Sequence, residues 1–358
     1  MTTTPTIDEA RVEAFLEQIV VETGAAMNAA LVRIGDELGL YRAMADGRPA
    51  TAAAVARATG THERYVREWL NAQAAGGFVE YDPAADSYRL PAEHALVLAD
   101  ETSPYASAGL YQAVTAAIRA EDRIADAFRT GEGLGWGEHH HGLFHGVERL
   151  FGTTYRHALV DEWIPALDGV HEKLLAGGTI ADVGCGHGLS AVLIARAYPA
   201  ARITGIDVHE PSIETARRRA AEAGVADRVR FEVATADAYP VPEGGYDVVA
   251  LFDALHDLGD PVAAARHARA AVAEGGTLLV VEPLAGDRID DNLHPLGRLD
   301  YGFSTLVCTP GSLAQEGRMG LGTQAGEARL AAVIRQGGFS SVRRVAETPT
   351  NMVLEGKP

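Results

Sequence analysis

The residues best placed to do chemistry lie in the stretch ADVGCGHGLS, residues 181–190. Asp182 is followed by Gly184, Gly186 and Gly188, three glycines spaced two apart. Glycines at a strand-to-helix turn let the backbone approach a ligand closely. The dinucleotide fingerprint G-x-G-x-x-G fails here, because its third glycine falls on Leu189. The phosphate-binding Walker pattern fails too, since no Gly-Lys-Ser/Thr follows. What remains is D-x-G-x-G-x-G with Asp207 ending the next apolar run. An acidic side chain at that position can accept both hydroxyls of a ribose. Asp182 can receive an ammonium, directly or through water. A ribose, an ammonium and no pyrophosphate together describe S-adenosylmethionine.

These residues need a scaffold, and the sequence around them supplies one. From Thr179 short apolar runs alternate with helical patterns. TIADVG, RITGIDV, RVRFEVA, YDVVALFDAL and TLLVVEP read as strands. SAVLIARAYP, PSIETARRRAAEAG and PVAAARHARAAVAEGG read as helices, and VRRVAE and NMVLEG as closing strands. The near-continuous apolar character of the fourth run fits a parallel sheet covered on both faces. The expected fold is an α/β, Rossmann-like doubly wound sheet, in which ligands sit at the carboxyl ends of the strands.

With these motifs in order, residues 160–358 resemble a class I S-adenosylmethionine-dependent methyltransferase. ADVGCGHG matches the first motif of that family, and ITGIDVHEPSIETAR the strand and helix that hold the ribose, with Asp207 and Val208. ATADAYP matches the adenine-contacting motif: the resemblance implies Asp237 toward the exocyclic amine and the Ala238 backbone toward the ring. VALFDALHDLGDP matches the fourth strand and its loop, with Asp253 on the donor side. In the O-methyltransferases the matching histidine is the general base, which implies that role for His256. A near-neutral pKa suits it to the task. Glu282 matches the glutamate that orients the base, and Glu327 aligns loosely with a third member. Leu258 stands where many of these enzymes have tryptophan.

The N-terminal part fits the same resemblance. Residues 8–45 read as amphipathic helix, with the pattern continuing beyond Gly24. TAAAVARATG and THERYVREWLNAQAAGG read as helices, each opened by threonine and closed by glycine. FVEYDPAADSYRLP reads as a hairpin, so the whole is a winged helix. Small-molecule O-methyltransferases of the plant and antibiotic-tailoring kind, and a bacterial group of undefined substrate, carry such a domain and dimerise through it. The resemblance therefore implies a homodimer. Residues 25–100 hold seven arginines, no lysine and ten acidic residues, a balance wrong for duplex DNA.

Three segments are expected: a winged-helix domain over 1–100, a helical pocket segment over 101–176, and the catalytic domain over 177–358. The middle segment carries His139, His140, His141 and His145. His141 and His145 would share a helix face and suit a metal, but the neighbouring glycines argue against a long helix. The favoured alternative is a mobile pocket wall, with Trp136 and Phe144 against the substrate and no metal. Tyr301 and Phe303 are further candidates for that cavity, while Tyr155 and Trp163 read equally well as core. Cys185 reads as small packing within the glycine turn.

The net charge is −18, with two lysines (Lys173 and Lys357) and two widely separated cysteines. No disulfide framework follows. No apolar run is long enough for a membrane span. The N-terminus lacks a secretory pattern, so the expected compartment is the cytoplasm. The reading is thus an enzyme that methylates a small molecule, with oxygen favoured and nitrogen, sulfur or carbon open. The alternatives are a winged-helix regulator that senses S-adenosylmethionine, or a related fold that binds it without methyl transfer.

Overall fold

The structure, a computed structural model, describes residues 7–358. The chain divides into two compact units, residues 1–115 and 116–358.

In the first unit, helix Glu9–Glu37 runs through Gly24, as its periodicity predicts. One glycine in the interior of a long helix costs only about 1 kcal/mol. Only the last third of this helix is buried, at Ala29, Val32, Gly35 and Asp36. Gly35 lies against Trp69 and Tyr41, whose rings meet edge to face 4.9 Å apart. Thr51 caps helix Ala52–Thr59 by accepting from the Ala54 amide at 3.2 Å. Helix Glu63–Ala75 is capped by His62 instead of the expected Thr61, with His62 Nδ1 accepting from Arg64 N at 3.2 Å. Strands β1 (Glu80–Asp82) and β2 (Ser87–Arg89) form the wing. Val12, Phe15, Leu16, Ile19 and Val20 remain exposed along the free part of the first helix.

The second unit is built on seven strands: β3 (Thr179–Val183), β4 (Arg202–Asp207), β5 (Val229–Val233), β6 (Tyr246–Phe252), β7 (Val272–Pro283), β8 (Ser341–Glu347) and β9 (Asn351–Lys357). Their order is β5-β4-β3-β6-β7-β9-β8. The first five strands are parallel, and β9 runs antiparallel to both of its neighbours. Strand order reverses at β3, the switch point at which such sheets open a crevice. Helices Leu189–Ala197 and Glu210–Glu222 contribute to the core on one face. Helices Pro261–Ala271 and Gly326–Gln336 contribute to the core on the other.

Helix Pro261–Ala271 stops five residues short of the expected Gly276, and β7 begins at once with Val272 paired to Tyr246. Gly275 adopts φ +69°, which no helix continues through, and sheet pairing captures the residues before it.

The register fixes what meets at the carboxyl edge. Val183 lies opposite both Ile206 and Leu251, so Gly184, Asp207 and Asp253 emerge on one rim. Gly188 (φ +74°) starts the helix after the turn, and a Cβ there would meet the Phe231 ring at 2.7 Å and Ala216 at 2.8 Å. A Cβ on Gly186 (φ +50°) would meet nothing within 4 Å. Gly188→Ala is therefore expected to lower unfolding stability by about 2–4 kcal/mol, from strain and overpacking together. Gly186→Ala should lose about 1 kcal/mol from strain alone. Urea denaturation of the two variants checks this ordering.

Candidate active site

Two groups of side chains gather along this rim. In the first, Asp182 is wholly buried; its Oδ2 accepts from Ser190 Oγ at 2.5 Å. Its Oδ1 has no hydrogen-bond partner among the described residues. Burial raises its pKa to about 7. A buried carboxylate oxygen without a donor calls for a cation or a donor from outside the chain. Asp207 accepts from Gly186 N at 2.9 Å and from His209 N at 2.8 Å, one bond on each oxygen. Each oxygen retains a lone pair for a hydroxyl. Val208 next to it is exposed, and so are Asp237 and Ala238 beyond β5. The orphaned Asp182 oxygen, the open space above Gly186 and the lone pairs of Asp207 fit an ammonium, a closely approached ligand backbone and a ribose.

The second group surrounds His256, which is buried in a short turn after β6. Glu282, at the end of β7, accepts from Leu255 N at 2.8 Å and from His256 N at 3.3 Å, and meets His256 Nδ1 at 2.5 Å. Nε2 of the same ring is 3.3 Å from Asp257 Oδ1. Burial alone would lower the imidazole pKa, but Glu282 first and then Asp257 outweigh it and hold it well above the usual value. The two predicted catalytic residues, one in the turn after β6 and one at the end of β7, are thus in direct contact.

Asp253 sits between the two groups with φ +50°, a strained conformation for a non-glycine residue. Its Oδ2 accepts from Tyr155 Oη at 2.9 Å and its Oδ1 from Asn351 Nδ2 at 2.8 Å. Burial, followed by Glu282, raises its pKa to about 8. Its side chain is thus committed to protein donors.

Glu327 does not join this group. It pairs with Arg344, and the second carboxylate beside the His256 ring is Asp257. Asn351 carries no motif, and sequence reasoning missed its place here; Tyr155 was a candidate for cavity or core, and Asp257 was visible only as the neighbour of His256.

The histidine-rich segment is more ordered than its glycines implied. Gly142–Thr154 is a regular helix that widens into π-type turns over Tyr155–Trp163. His141 is the N-cap of that helix. His145 converges with Glu148 and with His187 of the glycine turn. Trp136 and Phe144 lie 5.1 Å apart, and Phe144 is 4.9 Å from His209, two residues past Asp207. They form an aromatic wall beside the donor rim.

Comparison with known proteins gives this geometry a family. Residues 26–100 match the Rv2258c-like winged HTH domain, and residues 180–276 match a methyltransferase domain. The chain is 30% identical over 275 residues to O-demethylpuromycin-O-methyltransferase of Streptomyces alboniger, covering 67% of this chain and 68% of that protein. The chain belongs to the S-adenosylmethionine-dependent small-molecule O-methyltransferases with an N-terminal winged helix. The methyltransferase is also 28% identical to mitomycin biosynthesis 6-O-methyltransferase of Streptomyces lavendulae, over 74% of this chain and 76% of the other. It matches 27-O-demethylrifamycin SV methyltransferase of Amycolatopsis mediterranei at 32% identity, over 37% of this chain and 52% of the other. Human N-acetylserotonin methyltransferase, solved in complex with SAM, shares the fold, with a TM-score of 0.68 and 20% identity over 99% of each chain. Among the described residues, no helix of the methyltransferase is long and apolar enough to cross a membrane.

The raised pKa of Asp182 has a consequence for stability. Its folded value of about 7 exceeds the ordinary 3.8, so the folded state binds the proton more tightly. The ligand-free enzyme should therefore lose stability as pH rises from about 4 to about 7. Asp182→Asn should flatten that fall relative to wild type, by a few kcal/mol at most. Thermal unfolding of both proteins across this range is the check.

Proposed function

We propose that this methyltransferase methylates a hydroxyl of an aromatic or polycyclic natural product, with His256 as general base. The observation that carries the reading is the contact of His256 with Glu282 on the rim that also holds Asp182 and Asp207. Bound there, S-adenosylmethionine supplies a methyl group on a sulfonium, an electrophile that needs no further activation. Asp182 receives the ammonium, Asp207 the ribose hydroxyls, and Val208, Asp237 and Ala238 flank the adenine. Glu282 fixes the ring of His256 through Nδ1 and leaves Nε2 to accept the acceptor's hydroxyl proton. Two carboxylates beside the ring favour that proton, so the imidazole must first lose its own. Turnover should then rise with pH along a limb displaced above the ordinary histidine range. The wall of Trp136 and Phe144 supports an aromatic acceptor, and the names of the puromycin, mitomycin and rifamycin relatives agree with a tailored natural product.

Three further readings accompany this one. The exposed apolar stripe of the first helix supports a homodimer, since large apolar faces mark association sites. Arg64 pairs with Glu68, and Arg67 with Glu63 and Asp86, which leaves the second helix little free positive charge for nucleic acid. Two buried free thiols agree with a reducing, cytoplasmic setting.

Calorimetry with S-adenosylhomocysteine tests the donor site. Tight binding is expected for wild type, and about 100-fold weaker binding for Asp207→Ala, from the loss of two charge-assisted hydrogen bonds. No binding to wild type would overturn the assignment. Turnover on a panel of phenols and hydroxyquinones tests the base. His256→Asn should lower kcat about 10²–10⁴-fold. Glu282→Gln should move this ascending limb to lower pH, because it removes the charge that raises the imidazole pKa. An unshifted limb would exclude the pair. For the dimer, light scattering of the full chain should give twice the chain mass, and Phe15→Glu with Ile19→Glu should halve it.

A further inference from the structure

At the base lies a cluster of atoms of which methyl transfer uses only one, His256 Nε2. His256 Nε2, Asp257 Oδ1 and Cys308 Sγ lie within 4.8 Å of one another. Cys308 comes from the segment after helix Pro295–Phe303, so the cluster joins two parts of the chain distant in sequence. His256 and Cys308 are buried, while the Asp257 side chain keeps about a third of its surface exposed. Asp257 Oδ1 is itself buried and has no well-formed hydrogen bond among the described residues; its 3.3 Å approach to Nε2 is an ion contact without hydrogen-bond direction.

We propose that these three atoms form a site for a thiophilic divalent cation of the zinc class, entered from the side of Asp257. The inference rests on the reading of His256 as base for its consequence, though not for its geometry. Imidazole, carboxylate and thiolate are the donors that zinc prefers. In a tetrahedral site with bonds of about 2.0–2.3 Å, ligand atoms lie about 3.3–3.8 Å apart. The present cluster therefore closes by small side-chain rotations. The Glu282 contact at Nδ1 supplies the feature that metal-binding histidines share: a carboxylate on the far nitrogen that fixes the ring and leaves Nε2 to the metal. The Glu282 carboxylate adds negative charge nearby. Binding forms metal–N, metal–O and metal–S bonds and releases the thiol proton of Cys308 to solvent, together with the Nε2 proton where the ring is charged. The fourth position stays open toward water or the acceptor.

The other convergence, His145, Glu148 and His187, is a poorer metal site. Arg219 already binds Glu148 Oε1, and His187 holds Oε2 at 2.5 Å, so the carboxylate is spent and a cation stands beside it. In the His256 cluster no arginine or lysine is paired to any of the three residues among the described contacts.

The consequence is competition. A cation on Nε2 takes the lone pair that accepts the acceptor's proton, so an occupied enzyme still binds its donor but cannot act as a base.

The test uses the full chain, reduced and stripped with EDTA, titrated with Co²⁺. One equivalent should produce a near-ultraviolet thiolate-to-cobalt band and visible bands of a low-coordinate site. Excess Zn²⁺ should bleach both. Cys308→Ser should lose the near-ultraviolet band, Asp257→Asn should weaken Co²⁺ binding at least tenfold, and Cys185→Ser should change neither. S-adenosylhomocysteine affinity should stay within twofold when Zn²⁺ is present. No thiolate band in wild type, or a band retained in Cys308→Ser, overturns the site. A folded Asp257→Asn protein with unchanged Co²⁺ affinity overturns its place in the ligand set. The cobalt spectrum is read without turnover. A failed titration therefore leaves the His256 base standing, and an active His256→Asn enzyme would remove the base while leaving the site.

Discussion

The Glu282 carboxylate holds three nitrogens at once: the backbone amides of Leu255 and His256 and the Nδ1 of His256. The turn after β6 and the ring it carries are thereby tied to the end of β7. A buried carboxylate is costly unless hydrogen bonds and charge satisfy it, and here each oxygen is engaged. The histidine depends on the contact equally, since its tautomer, its direction and its elevated proton affinity all follow from it. Strand register does the rest by bringing Asp182, Asp207 and Asp253 to the same edge.

The rim is a concentration of carboxylates in low-dielectric surroundings, and their proton affinities rise together for that reason. Such an arrangement opposes stability and favours ligands that bring positive charge or hydrogen-bond donors. The strain at Asp253 belongs to the same pattern. A side chain held from both sides by Tyr155 and Asn351 can maintain a backbone conformation that an unheld residue would abandon. Functional sites commonly depart from local preference in this way, supported by the packed sheet below.

Much of this was legible in the sequence. The glycine turn, Asp207, His256 and Glu282 each lie at or just past the end of a strand whose apolar period is plain, and parallel pairing then puts strand ends together. The winged helix was legible from its caps and its hairpin. The less regular parts were not. Asn351 reaches Asp253 only because β9 inserts antiparallel beside β7, and no local pattern encodes that neighbour. Glu327 aligned loosely with a catalytic carboxylate, yet Arg344 on the adjacent strand claims it. The helix from Gly142 formed despite its glycines, because packing against the core outweighs their weak propensity. The early end of helix Pro261–Ala271 reflects the same competition, with pairing to Tyr246 capturing Val272.

The position of β9 also sets the order in which the site can come into being. Met352 pairs with Glu282 and Asn351 with Pro283, so the strand that carries Glu282 gains its second neighbour only from residues near 350. A chain emerging from the ribosome exposes the glycine turn, His256 and Glu282 long before that strand arrives. Until it does, β7 is an open edge and Asp253 lacks one of its two donors. The site is thus completed only by residues near 350, made after every strand of the parallel half of the sheet.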